Sequence, residues 1–176
     1  MGETRTVTRY SITNLVFLMV FGVAFGFVEA AVVYYLRHLI NFHSNYIITN
    51  YKVLLNLGFI TFITPTHSLI VNHSISAIEI TREAATIVML VAVACIAGNN
   101  KRQRIGAFLV SFACWDIFYY CFLKVLTGWP SGFNTKDIYF LIPVIWVGPV
   151  ITPLVVSTLM LISGVKLYLR PNITRL

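Results

Sequence analysis

ISAIEITREAATIVMLVAVACIA, from Ile75 to Ala97, is long and apolar enough to cross a bilayer, yet it carries Glu79, Arg82 and Glu83. About 20 predominantly apolar residues suffice for a spanning helix. A charged side chain at a helix centre costs roughly 2.5–3.5 kcal/mol on insertion scales, so it is kept there only with a partner or a use. The run stops at Gly98-Asn99-Asn100, and Lys101-Arg102-Gln103-Arg104 follows, the densest charge run in the chain.

The pattern repeats on either side. A first span is expected over 12–36; it contains Glu29 and ends in Tyr34-Tyr35-Leu36-Arg37-His38, an aromatic and basic interface signal. Another is expected over 105–126, with Asp116 near its middle. The last apolar stretch, Ile138 to Leu169, is longer than one span needs and holds Pro143, Gly148, Pro149 and Pro153. Proline removes a donor and breaks helical hydrogen bonding, so a short broken segment over 138–148 and a spanning helix over 150–168 are expected. Tyr51 to Thr64 is apolar but too short to span, which suits a re-entrant or interfacial helix. The expected fold is therefore all-α: one transmembrane domain over 1–176, a polytopic bundle of four helices (12–36, 75–97, 105–126, 150–168) with non-spanning pieces at 51–64 and 138–148.

Composition agrees. Hydrophobic residues make up 58% of the chain, charged residues 11%, and mean hydropathy is +0.82. Soluble domains carry about 25% charged residues. The 176 residues leave little room for a soluble domain. The formal charge of +7 is scattered at the ends of apolar runs, where it meets lipid headgroups, and is not a nucleic-acid signature. The first apolar run is too long for a signal-peptide core and reads as a retained span. Cys95, Cys114 and Cys121 form no CxxC pair and read as small core residues.

With four spans, both termini and the 98–104 turn share a side. That side holds Arg5, Arg9, Lys101, Arg102, Arg104, Lys166, Arg170 and Arg175; the other holds Arg37, Lys52, Lys124 and Lys136. The asymmetry places both termini in the cytoplasm. A fifth span over 51–72 would divide the basic residues between the two sides.

Five of the six acidic residues, Glu29, Glu79, Glu83, Asp116 and Asp137, lie in or at the edge of apolar runs. By helical rise Glu29, Glu83 and Asp116 each stand roughly 10–15 Å below the outer surface. Glu79, Arg82 and Glu83 stand at i, i+3 and i+4, and Tyr119 and Tyr120 stand three and four residues after Asp116. The expectation is one polar cluster of Glu29, Glu79, Arg82, Glu83, Asp116, Tyr119 and Tyr120 facing the bundle interior. Such a cluster has three readings: a structural ionic knot, a cation or metal site using Glu29, Glu83 and Asp116 with His67 or His73, or a proton path. His38, His43, His67 and His73 all fall on the outer side, and the spacing of His67 and His73 is no recognised ligand pattern. There is no Glu-x-x-His motif, nucleophile elbow or phosphate-binding glycine loop, so no cofactor is indicated and no catalytic residue is assigned. Asn72 and Asn172 open glycosylation sequons, and the second falls on the cytoplasmic side.

The residues FVEAAVVYYLR (27–37), REAAT (82–86), WDIFYY (115–120), GWP (128–130) and LIPVIWVGPV (141–150) give the chain a likeness. It resembles a family of small prokaryotic integral membrane proteins. The match touches every span and omits the 38–74 region; the tryptophan-aspartate pair of similar sequences is Lys136-Asp137 here. The resemblance implies a shared membrane fold in a prokaryotic cell membrane. It implies no substrate, cofactor or catalytic residue.

Two functional classes follow. The first is a non-catalytic accessory subunit of a larger membrane complex, with a membrane oxidoreductase such as a copper-dependent monooxygenase as the partner class to examine first. The alternative is a stand-alone membrane enzyme, or a cation- or proton-handling protein, using the carboxylate cluster.

Overall fold

The computed structural model describes residues 2–39, 51–65 and 73–170. Four helices, α1 (Gly2–Leu39), α2 (His73–Ala97), α3 (Lys101–Thr127) and α4 (Ile151–Leu169), carry most of the chain. Each contains a stretch long and apolar enough to cross a membrane: Ile12–His38, Ala77–Ala97, Lys101–Thr127 and Ile151–Leu169. The boundaries have local causes. Asn100 caps α3 by accepting from the Gln103 N–H at 3.0 Å. Gly128 ends the same helix in the left-handed region, φ +72°, where its N–H reaches the Lys124 carbonyl. Pro149 precedes α4 and Pro153 lies in its first turn, where a missing N–H costs no intrahelical bond.

Helix α3 is the hub, packing on α1, α4 and α2. Small residues set the close crossings. A Cβ added at Gly22 of α1 would lie 2.6 Å from the Cys114 Cβ and 2.8 Å from the Ser111 carbonyl oxygen of α3. One added at Gly26 would lie 2.8 Å from the Trp115 carbonyl oxygen. Gly22 and Gly26 are a GxxxG pair, the spacing that brings two helix backbones together in a membrane. Gly106 of α3 approaches α4 in the same way: a Cβ there would lie 2.7 Å from the Tyr168 nitrogen and 2.9 Å from the Gly164 carbonyl oxygen. Leu15, Leu18, Ala94, Ala107, Val110, Cys114 and Tyr168 form one buried cluster. It joins the N-terminal half of α1, the C-terminal part of α2, the N-terminal half of α3 and the C-terminal end of α4.

The fold is not all-α. Four strands, β1 (Tyr51–Asn56), β2 (Thr61–Pro65), β3 (Lys136–Phe140) and β4 (Ile145–Pro149), form an antiparallel sheet in the order β1-β2-β4-β3. The helix expected over 51–64 is a β-hairpin, and the broken segment expected over 138–148 belongs to a second one. Both corrections have a physical basis. The 60–64 run is Ile-Thr-Phe-Ile-Thr, β-branched and aromatic throughout, and such side chains suit a pleated strand. Gly58 sits at φ +83°, and its N–H donates to the Asn56 side chain at 2.9 Å, which closes the first turn. In the second hairpin a cis bond precedes Pro143 in the turn.

The second hairpin lies along α3. Tyr120 of α3 bonds Asp137 of β3 at 2.8 Å, and Phe112 stacks on Phe140 with centroids 6.4 Å apart. From Tyr120 back to Phe112, α3 rises about 12 Å; from Asp137 to Phe140, β3 rises about 10 Å. The strand thus runs antiparallel to the helix toward its middle. Rings continue the contact from Trp115 to Phe112 at 5.2 Å, from Phe140 to Trp146 at 5.8 Å and from Trp146 to Phe62 at 5.0 Å, so aromatic packing fastens the sheet to the bundle.

Candidate functional site

The acidic side chains fall into four separate joints. In the first, Arg82 holds two carboxylates. Its Nε and Nη2 both donate to Oε2 of Glu79, at 3.0 and 2.8 Å, and its Nη1 donates to Oε1 of Glu29. The i, i+3 spacing brings Glu79 to Arg82 within α2, and Glu29 comes from α1. The Glu29 and Glu79 residues are only 9% and 8% exposed, so the planar guanidinium supplies the directed donors that buried carboxylates require.

Glu83 is one residue on and leaves this joint. Successive helical positions differ by about 100° around the axis, so Glu83 points elsewhere. Both of its oxygens accept from the Leu141 N–H, at 2.9 and 3.1 Å. Leu141 follows β3, so Glu83 ties α2 to the tip of the second hairpin. Asp116 makes the third joint, accepting from the Ser157 hydroxyl of α4 at 2.7 Å. Asp137 makes the fourth, accepting from the Tyr120 hydroxyl. Tyr120 thus turns to β3, and Tyr119 packs edge-on against it with centroids 4.9 Å apart.

Hydrogen bonding divides the expected cluster into separate joints, while Glu29, Asp116 and Asp137 all stay within electrostatic reach of Tyr119. Arg82, Glu29 and Glu79 come together, while Glu83 and Asp116 each take a different partner. Equal depth on three helices does not imply equal direction, because rise along the axis says nothing about rotation about it. Among the described residues no group of three or more His, Cys, Asp or Glu side chains is arranged to hold a metal ion. Of the metal candidates, His67 lies outside the described residues; His73 opens α2, but its side chain is not described. His43 and the sequon residues Asn72 and Asn172 also lie outside the described residues. The Nδ1 of His38 sits 2.9 Å from the Tyr34 carbonyl oxygen. Of the cysteines expected in the core, Cys114 is buried; Cys95 and Cys121 are exposed on helix surfaces, where apolar neighbours also face outward.

Outside the helices, burial pushes the Asp137 carboxyl up to about 6, against the opposing effect of the Tyr120 hydrogen bond. Burial likewise raises Tyr139, to about 12; its hydroxyl donates to the Pro149 carbonyl at 2.6 Å and closes the hairpin internally. At the mouth of the same hairpin the Arg37 guanidinium lies 4.5 Å from the centre of the Trp129 ring, which joins α1 to the loop after α3.

Several participants lie outside the set expected from the sequence. Ser157 is one of several hydroxyls in α4, beside Thr152, Thr158 and Ser163, with no local feature to set it apart. Leu141 contributes only backbone. Gly22 and Gly26 do carry a signal, the GxxxG spacing, and Glu29 continues that stripe at i+7. No protein-family model, curated protein or solved structure matches this chain.

Proposed function

We propose that this chain is a multi-pass membrane protein, with both termini cytoplasmic, that serves as a non-catalytic structural subunit of a larger membrane complex. One observation carries the reading. Every carboxylate described above is engaged by an internal partner, and four of the five are bonded across two different elements: α1 to α2, α2 to the β3–β4 hairpin, α3 to α4, and β3 to α3. Groups used this way position helices and strands. The basic asymmetry between the two ends of the bundle supports the orientation. Purification in a mild detergent tests the assignment. The expected outcome is comigration with a defined set of other membrane proteins; a monodisperse, isolated chain carrying stoichiometric metal would contradict it. Labelling of a cysteine placed at position 101 should fail from outside the cell.

A second reading rests on Asp116 and Asp137. Asp116 accepts from the Ser157 hydroxyl, and Asp137 accepts from the Tyr120 hydroxyl and the Ile138 backbone N–H; neither has a cation among its hydrogen-bond partners. A carboxyl in that setting can hold and release a proton, which suits proton handling. Proton flux into vesicles containing the purified chain, abolished by Asp116→Asn, would favour this reading over the first.

A further inference from the structure

β1 (Tyr51–Asn56) is the open edge of the sheet. Among the described residues it pairs with β2 alone, whereas β3, at the opposite edge, lies along α3. All six residues of β1 are exposed. Alternate residues of such a strand turn their N–H and C=O away from the neighbouring strand. Leu54, passed over at the bulge between Val53 and Leu55, has no partner on β2 either.

The edge lies at the depth of the helices. Phe112 stacks on Phe140, Phe140 pairs with Trp146, Trp146 with Phe62 and Phe62 with Leu55. Across the four strands that row is about 14 Å long. By helical rise Phe112 stands about 16 Å from Lys101 and about 22 Å from Thr127, so β1 stays within the length of α3. Hydrocarbon tails offer neither donor nor acceptor, and an open sheet edge does not persist among them. The cover for β1 is itself a strand, because extended backbone presents donors and acceptors at the matching repeat.

Lys52 narrows the identity of that strand. It is exposed and bonds to no described residue. A lysine on an edge deters an apolar strand and favours one with a carboxylate opposite it. A second copy of this chain offers none. Glu29, Glu79, Glu83, Asp116 and Asp137 are each engaged within the chain, and Glu3 stands in the first turn of α1, at the end away from Arg37. We infer that the outer edge of β1 pairs with an extended segment of a different membrane protein, with a carboxylate of that segment opposite Lys52. The pairing rests on the membrane-subunit reading above and supplies its interface.

Hydrogen exchange of the 51–56 amides tests the pairing, followed in the complex purified in mild detergent and in the full-length chain stripped of its partners. Exchange over 51–56 should be slower in the complex by about tenfold or more, and equal in both samples over 105–120. Lys52→Glu should abolish comigration of the partner while the melting temperature of the isolated chain stays unchanged, because Lys52 bonds to no described residue. Lys136→Glu, on β3, should keep the complex. Equal exchange over 51–56 in the two samples overturns the pairing and leaves the subunit reading standing. A complex that survives Lys52→Glu overturns the carboxylate assignment, and one made only of copies of this chain overturns the choice of a different protein. A chain recovered with no partner at all overturns the subunit reading and the pairing with it, an outcome distinct from equal exchange within a recovered complex.

Discussion

Arg82 of α2 bonds Glu29 of α1 across two helices that otherwise make few contacts with each other. The third helix, α3, packs extensively on α1 and also on α2, so the ion pair closes a triangle whose other sides are built from packed side chains.

Removing that guanidinium should be among the most damaging single changes. Arg82→Ala leaves Glu29 and Glu79 buried without a cation, and breaking a buried pair by deleting one partner costs about 3–5 kcal/mol. Arg82→Lys should recover only part of the loss, since an ammonium lacks the fork that reaches both carboxylates. Thermal unfolding in detergent should rank wild type, Lys and Ala in descending order. An Ala variant that melts with wild type would show that the pair contributes nothing.

Glu83 should behave differently. Glu83→Gln keeps an acceptor for the Leu141 N–H and should be nearly silent. Glu83→Ala leaves that N–H without its bond, a loss of about 1–3 kcal/mol if the group stays dry. Hydrogen exchange should then quicken locally over 138–147 and remain unchanged in α1. Equal exchange in both variants would dissociate Glu83 from the hairpin.

The α1–α3 crossing predicts a steric effect. Gly22→Ala brings a Cβ within 2.6 Å of the Cys114 Cβ and 2.8 Å of a backbone oxygen, so the helices must part. Overpacking of this kind typically costs about 1–3 kcal/mol. Gly132→Ala meets nothing within 4 Å and is the control. A melting temperature lowered at position 22 and unchanged at 132 is the expected pair of results.

Asp137 predicts a pH dependence. Its carboxyl titrates at about 6 in the folded chain, above the ordinary value of 3.8. Between these values the folded state binds more proton than the unfolded state, so this residue's contribution to stability is full below about 3.8 and is lost as pH rises through about 6. Asp137→Asn should flatten the stability profile across that window and be neutral or stabilising at pH 7. A profile unchanged by the substitution would assign the dependence to another group.

The helices are legible in the sequence because long apolar runs and their polar ends are properties of one chain segment. Ile75 to Ala97 carries its helical signal within one continuous run of sequence. The sheet is not legible in the same way, because hydropathy and length do not distinguish a short buried helix from a strand at Tyr51–Thr64 or 138–148. The Asn56-Leu57-Gly58 turn and the β-branched run after it are the better guide. The polar residues are legible as a set and not in their pairings. Asp116 selects Ser157 through the packing of α3 on α4, and that packing is set by Gly106 and Gly164, far from each other in sequence.

The strand order also has a consequence for biogenesis. β2 pairs with β4, but α2 and α3 are synthesised between them. At about 5–20 residues per second, β2 waits several seconds for its partner with one edge unmatched. An open strand edge is a template for wrong pairing. During that interval the unmatched edge of β2 is the part of the nascent chain most open to wrong pairing, and the arrival of β4 closes it.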